Sequence, residues 1–258
     1  MRMRSRALIR PALLAAALAA TAATAGCAYN EALGRNQFLL VDNAALAQAA
    51  DQAWQETLRK EKVSKDPELN ARVQRVSSRL VQAAGLGNQT WTYVVFEDPT
   101  PNAFALPGGK VGVNTGLFKV VKNDDQLAAV IGHEIGHNVA NHAAERYSQT
   151  AATQIGLGVA QGVAGQGDLG QAIGAYGGVG AQLGVLLPFS RKHELEADRL
   201  GVDYMHAAGY RPSEAIALWR NMAAQRTGGS QPSFMSTHPS DTQRIAELEA
   251  YIKSRGWS

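Results

Sequence analysis

His133-Glu134-Ile135-Gly136-His137 decides the reading of this 258-residue chain. On a helix, residues four apart sit one above the other on the same face, so both imidazoles can reach a single ion. Zinc suits them, with Zn–N distances of about 2.0–2.1 Å. Glu134 lies part of a turn away, where its carboxylate can take a proton from a water on the ion rather than bind the ion; this is the H-E-x-x-H spacing. The competing reading is a solvated helix face that happens to bear two histidines. The run Leu127-Ala128-Ala129-Val130-Ile131 just before the pair weighs against it, because it predicts a buried helix.

A catalytic zinc needs a third protein ligand and an open position. In the longer three-histidine pattern a third His would fall at 143 with Gly at 140, but these places hold Ala143 and Ala140. A carboxylate on a second helix is the other solution. The stretch Arg191-Lys192-His193-Glu194-Leu195-Glu196-Ala197-Asp198-Arg199 supplies Glu194, with Asp198 one helical turn later. Glu194 can bind the ion while Asp198 accepts the free N–H of one ligand imidazole and fixes its tautomer. Glu196 and Glu145 compete for the ligand role, and the Glu–Asp spacing selects Glu194. The predicted cofactor is one Zn²⁺ per chain. His142, His193 and His206 are left over and are read as structural or exposed.

Outward from this centre the pattern is mainly helical. Leu46, Ala50, Ala53, Trp54, Thr57 and Leu58 recur at helical spacing from Asn43 onward. Leu69, Val73, Val76, Leu80 and Val81 define a second helix, with Pro67 in its first turn and a stop near Gly85 and Gly87. Strands are expected at Trp91–Phe96, Ala103–Leu106 and Lys110–Val113, the last two flanking the turn sequence Pro107-Gly108-Gly109. A long helix should begin after Asp124 and run through Asn141 or beyond. Residues 156–184 hold eleven glycines and read as a lid-like insertion, or as a segment that touches a bilayer. Helices return at 190–208, 213–226 and 240–254. The expected fold class is α+β, mainly helical, with a small antiparallel sheet and one helix carrying the histidine pair.

The length allows one sizeable domain or at most two small ones, and hydrophobic residues at 45% with charged residues at 18% suit a globular protein. The net charge of +3 is misleading. Four of the 25 basic residues are Arg2, Arg4, Arg6 and Arg10; without residues 1–26, 21 basic side chains face 22 acidic ones. No basic cluster interleaved with aromatics occurs, so no nucleic-acid partner is expected. Those arginines and the short apolar run Ala12–Ala20 read as a secretory signal. Thr24-Ala25-Gly26-Cys27 resembles the lipobox of bacterial lipoproteins, which implies cleavage before Cys27 and a lipid anchor on it. Cys27 is the only cysteine, which excludes an intramolecular disulfide. The expected organisation is a signal peptide at 1–26, a tether at 27–42 and a metallopeptidase domain at 43–258. Ala28 after the lipid site favours the outer membrane.

The two motifs around Glu134 and Glu194 together resemble the HtpX-like and CAAX-prenyl-protease family of zinc metallopeptidases, a gluzincin group, and within it the periplasmic lipoprotein members. The resemblance covers roughly residues 43–252. It implies a zincin-like catalytic domain and an endopeptidase acting on misfolded outer-membrane or periplasmic proteins, with the outer-membrane assembly machinery as a partner. Asn102-Ala103-Phe104-Ala105-Leu106-Pro107-Gly108-Gly109 resembles the family's edge-strand motif, so substrate would add a strand alongside Asn102, Ala103, Phe104 and Ala105. An ordinary core hairpin fits those residues equally well. His238-Pro239-Ser240-Asp241-Thr242-Gln243-Arg244-Ile245 resembles a late His-Pro and Arg motif. Ser240 and Gln243 there also make a capping box. The resemblance implies that His238 is a reversible fourth ligand or a substrate contact, and that Arg244 stabilises the oxyanion. The rival reading is a non-catalytic or latched zinc lipoprotein serving as a chaperone or adaptor. Glu134 weighs against the non-catalytic form, since a structural site has no use for a base.

Overall fold

The computed structural model describes residues 27–41, 43–160, 189–224, 233–239 and 242–257. The chain enters through an antiparallel hairpin, β1 (Cys27–Asn30) and β2 (Arg35–Phe38). Helices α1 (Asn43–Lys60) and α2 (Pro67–Ala83) follow, then strands β3 (Thr92–Phe96), β4 (Ala103–Leu106) and β5 (Lys110–Asn114) and a 3₁₀ turn at Thr115–Lys119. The remaining helices are α3 (Asp124–Val139), α4 (His142–Ala160), α5 (Arg191–Ala207), α6 (Ser213–Ala224), the short α7 (Ser233–Thr237) and α8 (Thr242–Ser254). The expected signal peptide, the Gly-rich segment beyond Ala160 and Ser240 of the capping box lie outside the described residues.

Local chemistry sets the helix starts. Asp66 accepts hydrogen bonds from the backbone N–H groups of Glu68 and Leu69, with Pro67 opening α2. Asn123 caps α3 through Gln126 N–H, and Asp124 and Asp125 meet the positive end of its dipole. Ser190 caps α5 through His193 N–H. Helix α3 stops earlier than its pattern predicts, because Asn141 takes a left-handed conformation (φ 50°) that separates it from α4. Among non-glycine residues, asparagine tolerates this region best.

The sheet is mixed rather than antiparallel. Its order is β3-β5-β4, with β4 antiparallel and β3 parallel to the central β5. Residues 97–102 carry the chain past the place of β5 before β4 forms. The tight turn at Gly108 and Gly109 (φ 83° and 77°) then inserts β5 between the other two. Strand β4 is therefore an edge. Phe104 and Leu106 pack with Trp54, Phe96 and Ala50 toward α1, while Ala103 faces the main core.

The expected tether is, over most of its length, the docked β1–β2 hairpin. The Asn30 amide donates to Val139 O (3.1 Å) and the Gln37 amide to Ala140 O (2.6 Å). Those carbonyls end α3 and have no partner within the helix, so the hairpin satisfies groups that burial would otherwise penalise.

Helix α3 is buried from Gln126 to His137 and forms the axis of the molecule. Leu127, Ile131 and Ile135 join Val76 and Leu80 of α2 and Leu218 and Met222 of α6 in the main core. Each such side chain contributes about 1.5–3 kcal/mol. Against α5 the contact is closer: a Cβ added to Gly136 would lie 2.8 Å from Ala197 O, and one added to Gly201 would lie 2.9 Å from His133 N. Backbone meets backbone there, which brings the start of α5 over the histidine pair.

Candidate metal centre

Ligand-type atoms of His133, His137, Glu194 and His238 all lie within 4.8 Å of one another, in a buried position. His133 Nε2 and His137 Nε2 are 3.0 Å apart. Glu194 comes within 3.5 Å of the first ring and 3.4 Å of the second. His238, which follows α7, puts Nδ1 3.1 Å from both His133 Nε2 and a Glu194 oxygen. A tetrahedral site with arms of about 2.0–2.1 Å has edges of about 3.3–3.4 Å. The spacings and the donor set of imidazoles and one carboxylate therefore fit a zinc ion. The sequence motifs place the same residues together, and the close approach of α3 and α5 does the joining.

His133 is oriented by Asp198, whose Oδ1 lies 2.9 Å from His133 Nδ1. A proton on Nδ1 leaves the Nε2 lone pair facing the cluster. Asp198 in turn accepts from Arg244 Nε (2.6 Å) and Nη2 (2.8 Å). The sequence-based oxyanion role for Arg244 does not match its position. The residue is 1% exposed, lies over the Trp219 ring at 3.9 Å, and directs Nη1 to Glu194 Oε2 at 2.5 Å. It stands behind the ligands, away from the cleft, and neutralises the two buried carboxylates. Burial raises the pKa of Glu194 and of Asp198, but Arg244 and the neighbouring imidazoles outweigh burial and hold both below the usual carboxylate range.

Glu134 belongs to the same helix as the histidines but turns toward the sheet. Its Oε2 accepts from Ala105 N–H (3.0 Å), and its Oε1 is 3.3 Å from His238 Nε2. Burial is the chief cause that raises its pKa. The contact also defines the free face of β4: Asn102 O bonds to Asn114 N–H on the β5 side, so the Ala105 N–H points the other way, into the cleft. The edge-strand and core-hairpin readings of 102–105 are thus compatible, because the Phe104 side chain serves the core while the backbone edge borders the site. A cleft of about 500 Å³ runs past Trp91, Phe104, Ala105, Glu134, His137, Val139, Phe189 and His238.

His142, His193 and Phe189 were not legible as site residues. His142 Nδ1 lies 3.0 Å from His137 Nδ1, and Phe189 stacks on the His137 ring at 4.0 Å between centroids. The spacing from 137 to 142 follows no helical face; the signal available was Asn141, a residue able to break the helix between them. Glu196 and Glu145 do not join the ligand cluster but pair with Arg35 of β2. His206 stacks on Trp257, remote from the centre. Cys27 is exposed. No described helix is long and apolar enough to cross a membrane.

The sequence profile of peptidase family M48 matches residues 67–252. The mitochondrial metalloendopeptidase OMA1 of Schizosaccharomyces pombe is 41% identical over 181 residues, which cover 70% of this chain and 52% of that protein. The human mitochondrial metalloendopeptidase OMA1 is 27% identical over 231 residues, covering 85% and 43%. The beta-barrel assembly-enhancing protease of Yersinia pestis is 28% identical over 193 residues, covering 70% and 38%. The chain spans about half the length of the first of these relatives.

Proposed function

The chain belongs to peptidase family M48, and on that premise we propose that it is a zinc-dependent endopeptidase that cleaves polypeptides bound in extended form along β4. One observation carries the reading: Glu134 sits beside the His133–His137–Glu194 cluster and is hydrogen-bonded to the backbone of the edge strand. A base, a ligand set and a peptide-binding edge are thereby held in register.

His133, His137 and Glu194 would hold the zinc ion, which would supply polarisation of the scissile carbonyl and a more acidic attacking water. The protein supplies the rest. Ala105, and Ala103 two residues earlier on the same strand edge, offer backbone groups to an added substrate strand, which tolerates many sequences. Glu134, with its pKa raised by burial, takes the proton of the attacking water and returns it to the leaving amine. His238 Nε2, 3.3 Å from Glu134, is placed to donate to the developing oxyanion when its ring is turned from the ligand cluster. In the arrangement seen, His238 Nδ1 lies within the ligand cluster instead, 3.1 Å from both His133 Nε2 and a Glu194 oxygen. This supports a latched resting form in which the ring must move before water can enter.

The substrates proposed are misfolded proteins of the cell envelope, and the location proposed is the bacterial periplasm, with a lipid on Cys27 holding the enzyme to the outer membrane near its assembly machinery. The relatives that bear on this carry mitochondrial and beta-barrel-assembly names. A casein assay on purified chains tests the mechanism. Glu134→Gln should keep its zinc and lose activity by at least ~100-fold; undiminished cleavage would end the assignment. Because His238→Ala removes the oxyanion donor along with the latch, zinc affinity reads the latch instead: the variant should bind zinc more weakly than wild type, and unchanged affinity would remove the latch.

A further inference from the structure

Behind His137 a line of polar side chains, buried at His142 and half-buried at Glu196 and Arg35, takes no part in the proposed reaction. His137 Nδ1 meets His142 Nδ1 at 3.0 Å, and His142 Nε2 meets Glu196 Oε2 at 3.0 Å. Glu196 accepts from Arg35 Nε (2.6 Å) and Nη2 (2.7 Å). We infer that His142, Glu196 and Arg35 are positioning residues that fix the tautomer and ring plane of His137, so that the amino-terminal hairpin helps set the affinity of the centre for its metal. The inference rests on the metal-centre reading.

The proton assignment follows from the contacts. Of two facing ring nitrogens, one must donate and the other accept. His137 Nε2 faces the ligand cluster and must present a lone pair, so its proton is on Nδ1 and is donated to His142. His142 then carries its own proton on Nε2 and donates it to the Glu196 carboxylate, which can only accept. The reverse assignment would set a lone pair of His142 against an ionised oxygen. The plane of the His142 ring is also held, because His193 stacks on it at 4.4 Å and 25°. His193 in turn lies 3.4 Å from Glu145, a second carboxylate on Arg35. Each histidine of the α3 pair therefore leads through a buried hydrogen bond toward a carboxylate and an arginine: His133 through Asp198 to Arg244, His137 through His142 and Glu196 to Arg35. Outer partners of this kind govern affinity because they set ring orientation and basicity.

The test measures zinc affinity of the full chain by competition with a chromogenic chelator, together with melting of each metal-free protein. His142→Ala should bind zinc about 10–100-fold more weakly. His142→Asn should recover much of that loss, because its amide oxygen can replace Nδ1 as acceptor. Arg35→Met and Glu196→Gln should weaken binding although neither residue touches a ligand. A merely structural role would lower melting of the metal-free Ala and Asn variants alike and leave their zinc affinities equal, which would overturn the inference. So would an affinity of His142→Ala within ~2-fold of wild type. If His142→Ala fails to fold, unchanged affinity in both Arg35→Met and Glu196→Gln overturns it. Wild type that binds no zinc would defeat the metal-centre reading itself.

Discussion

Arg244 carries its charge into a position with 1% exposure, where it persists because Asp198 and Glu194 meet it there. Removing one partner of such a buried set leaves the others unpaired, at a cost of about 3–5 kcal/mol. Arg244→Met should therefore lower the urea-unfolding stability by that amount. Arg244→Lys should recover only part, because an ammonium lacks the fork that grips Asp198 through two nitrogens. A loss of turnover with unchanged stability would restore the oxyanion role instead. His133, Glu134 and His137 were readable beforehand because helical geometry converts their spacing into a shared site. Glu194 and Asp198 were readable for the same reason within their own helix. Arg244 was picked out only through resemblance and for another role, and His142 was set aside as structural or exposed, since the direction of a long cation or an imidazole depends on elements that no spacing encodes.

At the scale of elements, the centre exists because α3 and α5 touch through backbone. A methyl group on Gly201 would meet His133 N at 2.9 Å and Gly132 C at 3.0 Å, and neither atom can turn aside. Gly201→Ala should push the helices apart, costing about 1–3 kcal/mol in stability. Because α5 carries Glu194, zinc should also bind more weakly. Chelator competition beside urea unfolding checks both, and lost stability with unchanged affinity would show that the separation is absorbed before it reaches Glu194. The helices themselves were legible from apolar periodicity and from Pro67 in the first turn of α2, whereas the caps Asp66, Asn123 and Ser190 emerged only with the structure. Strand order was not. Pro107-Gly108-Gly109 announces a hairpin between β4 and β5, but which side β3 takes depends on the path of 97–102, where no pattern speaks. The break at Asn141 was equally hidden, because asparagine also sits well inside many loops and helix ends.

For the whole molecule, the two ends of the described chain converge on the same ion site, Arg35 from β2 behind His137 and Arg244 from α8 behind His133. The amino-terminal half of that arrangement has a definite response to acid. Burial lowers the pKa of His142 from 6.5 to about 4 despite the hydrogen bond to Glu196. Burial raises that of Glu196, but its bonds from His142 and Arg35 outweigh this and bring it from 4.5 down to about 2. Glu145 is lowered for similar reasons, with His193, Arg35 and Gln37 opposing burial. In each case the unfolded chain binds protons at a higher pH than the folded one, so stability rises with pH across the interval between the two values. Acidification should therefore lower the urea midpoint of the EDTA-treated protein first between about pH 6.5 and 4, as His142 resists protonation, and further from about 4.5 toward 2 as the carboxylates do. Arg35→Met should flatten the second phase, because Glu196 and Glu145 then lose the cation that depresses them. Because His137 is shifted the same way and His238 the opposite way, the His142 share is read by comparison: His142→Asn should shrink the first phase, and a first phase equal to that of wild type would contradict the buried neutral state of His142. Its protonation matters beyond stability: a His142 ring with protons on both nitrogens can no longer accept from His137, so the second ligand would lose its alignment while the first kept Asp198.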